Sequence, residues 1–211
     1  MRAGEEPGLH INEAMGVKMS ATDIALHYSI DVGKSRFTAR AFATGLFSAI
    51  GHNPTLAIRE YTGEATLPPG NLEQASVRFT VQSASLTVTD DIIQKDRTEI
   101  ENKMRQEVLE TTAYPEIIFE SSKISPNQLG ENTYSVNIAG SLTLHGVSRN
   151  EAIYAQVTLA DETLRAYGEF SLRQTDYGIK LVSVAGGTLK VKDEVKVTFD
   201  LTARKQEGRN G

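Results

Sequence analysis

Apolar side chains recur at every second position through most of this chain, and the longest run lies in its middle. Tyr134, Val136, Ile138, Gly140, Leu142 and Leu144 fall on one side of an extended segment, and Ser135, Asn137, Ala139, Ser141, Thr143 and His145 fall on the other. Successive side chains of a strand point to opposite faces, so this pattern predicts a long strand with one apolar and one mostly polar face. Gly146 permits a turn that a Cβ would hinder. Ile153, Ala155, Val157 and Leu159 then resume the alternation. The two strands are predicted to form an antiparallel hairpin.

The same period predicts strands on either side. A short one ends at Gly33, and a cleaner one over 35–43 sets Phe37, Ala39, Ala41 and Ala43 against Arg36, Thr38 and Arg40. A third, over 52–63 through Leu56, Ile58 and Tyr61, is followed by the turn Pro68-Pro69-Gly70. Val77, Phe79 and Val81 mark the next, and Ile117 and Phe119 another that alternates to Ser121. The closing strands are 163–173, a looser 179–185, and 194–203, with Phe170, Leu172, Val197 and Phe199 among their inward residues. Residues 45–51, apolar and bounded by glycines, predict a turn closing one end. One passage is helical: Ile93, Ile100, Met104, Val108 and Leu109 recur at helical spacing over 90–112. Thr98 is the expected cap, Tyr114-Pro115 the stop, and the apolar stripe is expected to pack on the strands. About eight strands, one helix and no βαβ rhythm predict an all-β fold, an eight-stranded antiparallel barrel. It is expected over 25–204 as one domain, with loose tails at 1–24 and 205–211.

Composition narrows the function. A chain of 211 residues, 39% hydrophobic and 23% charged, has the make-up of an ordinary folded domain. Its net charge of −5 argues against a nucleic-acid partner, which needs a basic face. No cysteine is present, so disulfides, thiol nucleophiles and thiolate metal sites are excluded. Residues 1–23 hold no apolar run long enough for a secretory signal, and no stretch approaches a membrane span. The expectation is a cytoplasmic protein, or a periplasmic one if the start is misassigned.

The chain carries no nucleophile-elbow, zincin, phosphate-loop or dinucleotide signature. His10, His27, His52 and His145 lack the i,i+2 or i,i+4 spacing of paired ligands, so zinc binding by His27, His52 and His145 would need three strands to converge. Arg173 and Asp176 read as a strand-end salt bridge or turn cap more readily than as a catalytic pair. What remains is a cavity, because an eight-stranded barrel is just wide enough to fill with its own side chains or to hold one small ligand. The candidate lining is Phe37, Ala39, Ala41, Ile58, Val77, Phe79, Ile117, Phe119, Leu142, Leu144, Phe170 and Phe199, with Phe47 from the apolar turn. The small residues Ala39 and Ala41 either let a neighbouring element pack close or leave room for a guest. A guest in this lining must be apolar, since an unpaired buried polar group costs about 1–3 kcal/mol.

Several blocks resemble the YceI-like family. They are Tyr28-Ser29-Ile30-Asp31, Tyr61-Thr62-Gly63-Glu64-Ala65, Tyr114-Pro115-Glu116-Ile117-Ile118-Phe119-Glu120-Ser121-Ser122, Leu142-Thr143-Leu144-His145-Gly146-Val147, and Arg173-Gln174-Thr175-Asp176-Tyr177-Gly178. The resemblance implies an extended, lipocalin-like barrel with a short helix at or near its mouth. It also implies non-catalytic binding, storage or transport of a long apolar chain such as a polyisoprenoid, isoprenoid quinone, fatty amide or fatty acid. It implies no cofactor beyond that ligand, no stable membrane insertion, and a homodimer. A rim enzyme using His52, His145, Arg173 and Asp176, or an interaction protein docking through 99–110, are the alternatives.

Overall fold

In the computed structural model, which describes residues 25–44, 53–184 and 189–207, twelve strands form one antiparallel sheet that closes on itself. The tail expected at 1–24, the turn at 45–51 with Phe47, and His10 and His52 lie outside the described residues, as does the side chain of Ala43. The strands are β1 (Leu26–Ile30), β2 (Arg36–Thr44), β3 (Thr55–Ile58), β4 (Tyr61–Leu67), β5 (Ser76–Gln82), β6 (Leu86–Val88), β7 (Glu116–Gly130), β8 (Thr133–Leu144), β9 (Val147–Leu159), β10 (Thr163–Arg173), β11 (Ser183–Val184) and β12 (Leu189–Lys205).

Eight staves make the barrel, and three of them are each built from two consecutive strands. β12 pairs with β10 along one edge; along the other it pairs with β2 and then, nearer its C-terminus, with β1. β3 and β4 flank β2 and β1, and β6 and β5 flank β3 and β4. The breaks between these half-strands are stitched together. Ser35 Oγ donates to the Asp31 carbonyl at 2.8 Å, the Glu60 N–H donates to Ser85 Oγ at 3.1 Å, and Ser83 Oγ donates to the Tyr114 carbonyl at 2.7 Å. Small hydroxyl side chains satisfy backbone groups that a kinked ladder would orphan. The single strand predicted over 52–63 is therefore two, broken at Arg59 and Glu60.

The β8–β9 hairpin forms as expected. Its turn is His145-Gly146, with φ of 52° and 72° and Leu144 paired to Val147, the two-residue geometry whose twist matches the flanking strands. β7 runs on to Gly130, past the predicted end near Ser121. The cause is a bulge: Ser121 pairs with Gly140 but Lys123 with Ala139, so the inward phase moves from Ile117 and Phe119 to Ile124 and Pro126. A one-residue bulge inverts the period-2 pattern, and the alternation seemed to stop where it changed phase.

The helix α1 (Gln94–Lys103) is shorter than the predicted passage and continues as a π-helical turn over Met104–Val108. Thr98 lies inside α1, its hydroxyl donating to the Gln94 carbonyl at 2.9 Å; Ile93 precedes the first turn without a side-chain cap. No residue of α1 is buried, whereas Met104 and Leu109 beyond it are. Of the predicted apolar stripe, Ile93 is exposed, Ile100 and Val108 are half-buried, and Met104 and Leu109 are buried, so packing deepens toward the π-helical end. Among the described residues no helix is long and apolar enough to cross a membrane.

Candidate functional site: an apolar barrel cavity

The barrel is hollow. A cavity of about 620 Å³ runs through it, within the range of small-molecule sites. At a share of about 30 Å³ per water, it amounts to roughly twenty water volumes. Its wall includes Phe37, Ala39 and Ala41 from β2, Ile58 from β3, Val77 and Phe79 from β5, and Ile117 and Phe119 from β7. Leu142 and Leu144 from β8, Phe170 from β10 and Phe199 from β12 complete the predicted set among the described residues. Ala39 and Ala41 face the void, so these small side chains make room instead of admitting a covering element.

Aromatic rings stiffen one side of the wall. Phe37 meets Phe79 and Tyr61 edge-on at 5.2 and 5.6 Å, while Tyr61 stacks on Phe79 at 5.4 Å. On the neighbouring strands, at the β7 bulge, backbone comes so close that a Cβ on Gly140 would stand 2.3 Å from the Glu120 carbonyl oxygen and 2.7 Å from the Phe119 ring. Sequence reasoning missed Ile124 and Pro126, which follow the phase change, and Met104, Leu109 and Ile179, which lie outside strands altogether. A second alternation starting at Ile124 was the available signal for the first pair, and the apolar helical stripe was the signal for Met104 and Leu109.

The two ends differ. At the far end Tyr28, Leu67 and Ala203 form a small buried cluster, and burial pushes the Tyr28 hydroxyl pKa up. At the helix end Leu86, Met104, Leu109, Leu144, Tyr177 and Ile179 belong to the main core. Tyr177 is fully buried, and its hydroxyl donates to Glu151 Oε1 at 2.6 Å. Burial first, then this carboxylate acceptor, raises its pKa. The wall residues Asp96, Glu99 and Lys103 from α1, with Lys190 from β12, bring charge to the helix end. Glu64 and Arg78 also border the cavity, but they are exposed, and Arg78 pairs outward with Glu120 at 2.8 Å.

α1 is fastened to the sheet by charge. β6 has a free edge, since β7 pairs only with β5 and β8. Arg97 donates to the carbonyls of Val88 (2.6 Å) and Asp90 (3.0 Å), and Glu101 accepts the Val88 N–H at 2.9 Å. Arg105 donates to Glu101 at 3.2 Å and to the Leu86 carbonyl at 3.4 Å. Helix side chains thus complete a strand edge that would otherwise stay open.

Among the described residues the candidate side chains of His27, His145 and Arg173 each have a partner. His27 contacts Thr66 Oγ1 at 3.2 Å, on the β1–β4 pair. His145 lies under the Tyr114 ring, with Nε2 2.7 Å from Glu110 Oε2 and Nδ1 3.3 Å from the Tyr177 carbonyl. Arg173 pairs with Asp193 at 2.9 Å, not with Asp176, whose carbonyl instead accepts from Arg149 at 3.0 Å. Asp193 also accepts from the Thr175 N–H and hydroxyl, and these bonds hold its carboxyl below the usual range. Among the described residues no three His, Asp or Glu side chains are grouped to hold a metal ion.

Residues 28–203 match the YceI-like domain. The crystal structure of Burkholderia cenocepacia BcnA is similar, with a TM-score of 0.63 at 19% identity over 82% of this chain and 98% of that one. A polyisoprenoid binding domain from Saccharophagus degradans, implicated in plant cell wall breakdown, gives 0.61 at 16% over 86% and 99%. The Campylobacter jejuni YCEI protein gives 0.55 at 15% over 74% and 88%. At such identities these likenesses establish the fold. No curated protein matches the chain.

Proposed function

The chain belongs to the YceI-like domain family, and from that membership and its hollow barrel we propose that it binds and carries one long apolar chain without transforming it. The observation that carries this reading is the cavity: about 620 Å³ with a wall of aliphatic and aromatic side chains. Its structural neighbour from Saccharophagus degradans is described as a polyisoprenoid binding domain. A polyisoprenoid, an isoprenoid quinone, or a fatty amide or acid would suit the lining.

Magnitudes favour length. Each methylene taken from water contributes roughly 0.8 kcal/mol, so ten give about 8 kcal/mol, within the ~4–15 kcal/mol that association costs. Short chains would barely be retained, and long ones would be held. Charge at the helix end, through Asp96, Glu99, Lys103 and Lys190, supports a reading in which a polar head sits there with the tail inside. The side chains of His145 and Arg173 are each committed to structural partners, which supports carriage over catalysis at the rim.

Organic extraction of the purified protein followed by mass spectrometry tests the proposal. It should release one apolar molecule per barrel. Protein that yields none, and that also fails to take up added polyisoprenol or long-chain fatty amide, would refute it.

A further inference from the structure

One buried side chain in the cavity wall is polar. Gln174 is 6% exposed, and every other buried residue of the wall, among the described residues, is apolar. Its place follows from β10, whose inward residues Ala166, Phe170 and Leu172 lead on to it just past Arg173, the last residue of the strand. The main chain is fixed there: the Gln174 carbonyl accepts from the Ile179 N–H at 3.1 Å as the short helical turn Gln174–Tyr177 closes. The side chain is fixed as well. Its Nε2 donates to the Lys192 carbonyl at 2.8 Å, where β12 shifts register against β2 between Val191 and Val195. A carboxamide has two N–H donors and two carbonyl lone pairs, and this bond engages one of those positions. The charged wall residues Asp96, Glu99, Lys103 and Lys190 are half-buried or exposed by contrast.

We propose that the Gln174 carboxamide selects the head of the carried chain, and that this head is uncharged and able to hydrogen-bond: a hydroxyl, a carbonyl or a carboxamide. The inference rests on the carrier reading and narrows it, admitting alcohols, quinones and amides ahead of free acids. A wall with no task but to hold hydrocarbon would be served by leucine or methionine, which bury no polar group. The bond to Lys192 holds the plane of the amide, so its other donor and acceptor positions keep one direction and lose little freedom when a head group meets them. An amide that both donates and accepts matches a hydroxyl or amide head. A carboxylate only accepts, and at a buried site without a cation it would give up its hydration uncompensated. Of the wall's cations, Lys103 and Arg78 are paired with Glu107 and Glu120, and Lys190 is exposed.

Displacement of a fluorescent apolar probe from the full chain tests this, with hexadecanol, hexadecanamide, hexadecane and hexadecanoate as competitors at a pH where the acid is ionised. Gln174→Met and Gln174→Leu are measured beside the wild type. A wall without hydrogen-bonding groups would hold the alkane best, because the alkane leaves no polar group unpaired. The expected order is the reverse: alcohol and amide bind at least ~10-fold more tightly than alkane and carboxylate, a difference of about 1.4 kcal/mol. In both variants the preference over the alkane should shrink to about threefold or less, while the alkane keeps its wild-type affinity. Either variant suffices if the other fails to fold, and the wild-type order is a test without them. A wild type that prefers the alkane or the carboxylate, or variants that melt lower yet keep the preference, would overturn the inference and leave Gln174 as a support for the Lys192 carbonyl. The carrier reading survives both of those results. Failure of all four chains to displace the probe would instead refute the carrier reading, and this inference with it.

Discussion

Arg97→Ala separates the fastening of α1 from the stability of the barrel. With no buried residue in α1, packing contributes little to holding Gln94–Lys103 in place. Arg97 supplies two hydrogen bonds to backbone carbonyls, at 2.6 and 3.0 Å. Bonds from a charged donor contribute about 1.5–3 kcal/mol each. The side chain is partly exposed, so screening roughly halves this, and the pair is worth ~2 kcal/mol. Losing it should raise the undocked population of α1 by about 30-fold, at 1.4 kcal/mol per tenfold. Hydrogen exchange reads this directly: the amides of 94–103 should exchange faster by that factor, while β8 and β9 keep their protection. Uptake and release of a fluorescent fatty-acid probe should quicken in parallel, because α1 borders the cavity through Asp96, Glu99, Ile100 and Lys103. High salt should narrow the difference, since the Debye length falls from about 8 Å at physiological ionic strength to 3 Å at 1 M. Unchanged α1 exchange, or equal loosening of β8, would refute the reasoning.

Three further outcomes follow from the same geometry. Ala41→Trp places an indole in the void from the β2 wall, so ligand uptake in a fluorescence titration should fall at least tenfold while far-ultraviolet dichroism stays native; intact uptake would move the site out of the barrel. Gly140→Ala forces a Cβ to within 2.3 Å of the Glu120 carbonyl oxygen and should cost about 1–3 kcal/mol by denaturant titration, whereas Gly130→Ala, with no atom within 4 Å of its Cβ, should be close to neutral. Asp200 is held below its ordinary 3.8 by the hydrogen bonds from Arg165. A lowered folded-state value means the contribution is present above the unfolded value and disappears as pH falls through the folded one. Between about pH 5 and 2 the native melting temperature should therefore drop more steeply than that of Asp200→Asn, and parallel curves would contradict the assignment.

The wall was legible because a barrel stave obeys one rule from end to end. β8 could be read residue by residue, since its inward row is apolar and its outward row has no competing signal. β10 matched its predicted bounds for the same reason. The rule failed where the backbone leaves the ladder. At Ser122 one extra residue exchanged inward and outward positions, so the second half of β7 was lost from view. At Arg59–Glu60 and Ser83–Ser85 the staves kink without glycine or proline to mark the break; the hydroxyls that stabilise those kinks bond to backbone groups more than twenty residues away, Glu60 N–H and the Tyr114 carbonyl, a contact with no local sequence signature.

The helix end was less legible for a different reason. Its contacts join charged side chains to backbone groups of a strand edge, and Arg97, Glu101 and Arg105 look like ordinary solvated residues until β6 is placed beside them. This separates the barrel's two tasks. Apolarity of the wall is spread over seven or more strands, so single substitutions there change volume without changing the class of ligand that fits. If the barrel carries a ligand as proposed, access at the helix end rests on a helix held by a few hydrogen bonds of about 1 kcal/mol each. Those bonds can be altered one at a time without disturbing the barrel, so on the proposed function substitutions in α1 should tune the rate of ligand exchange, while the staves set what apolar chain fits.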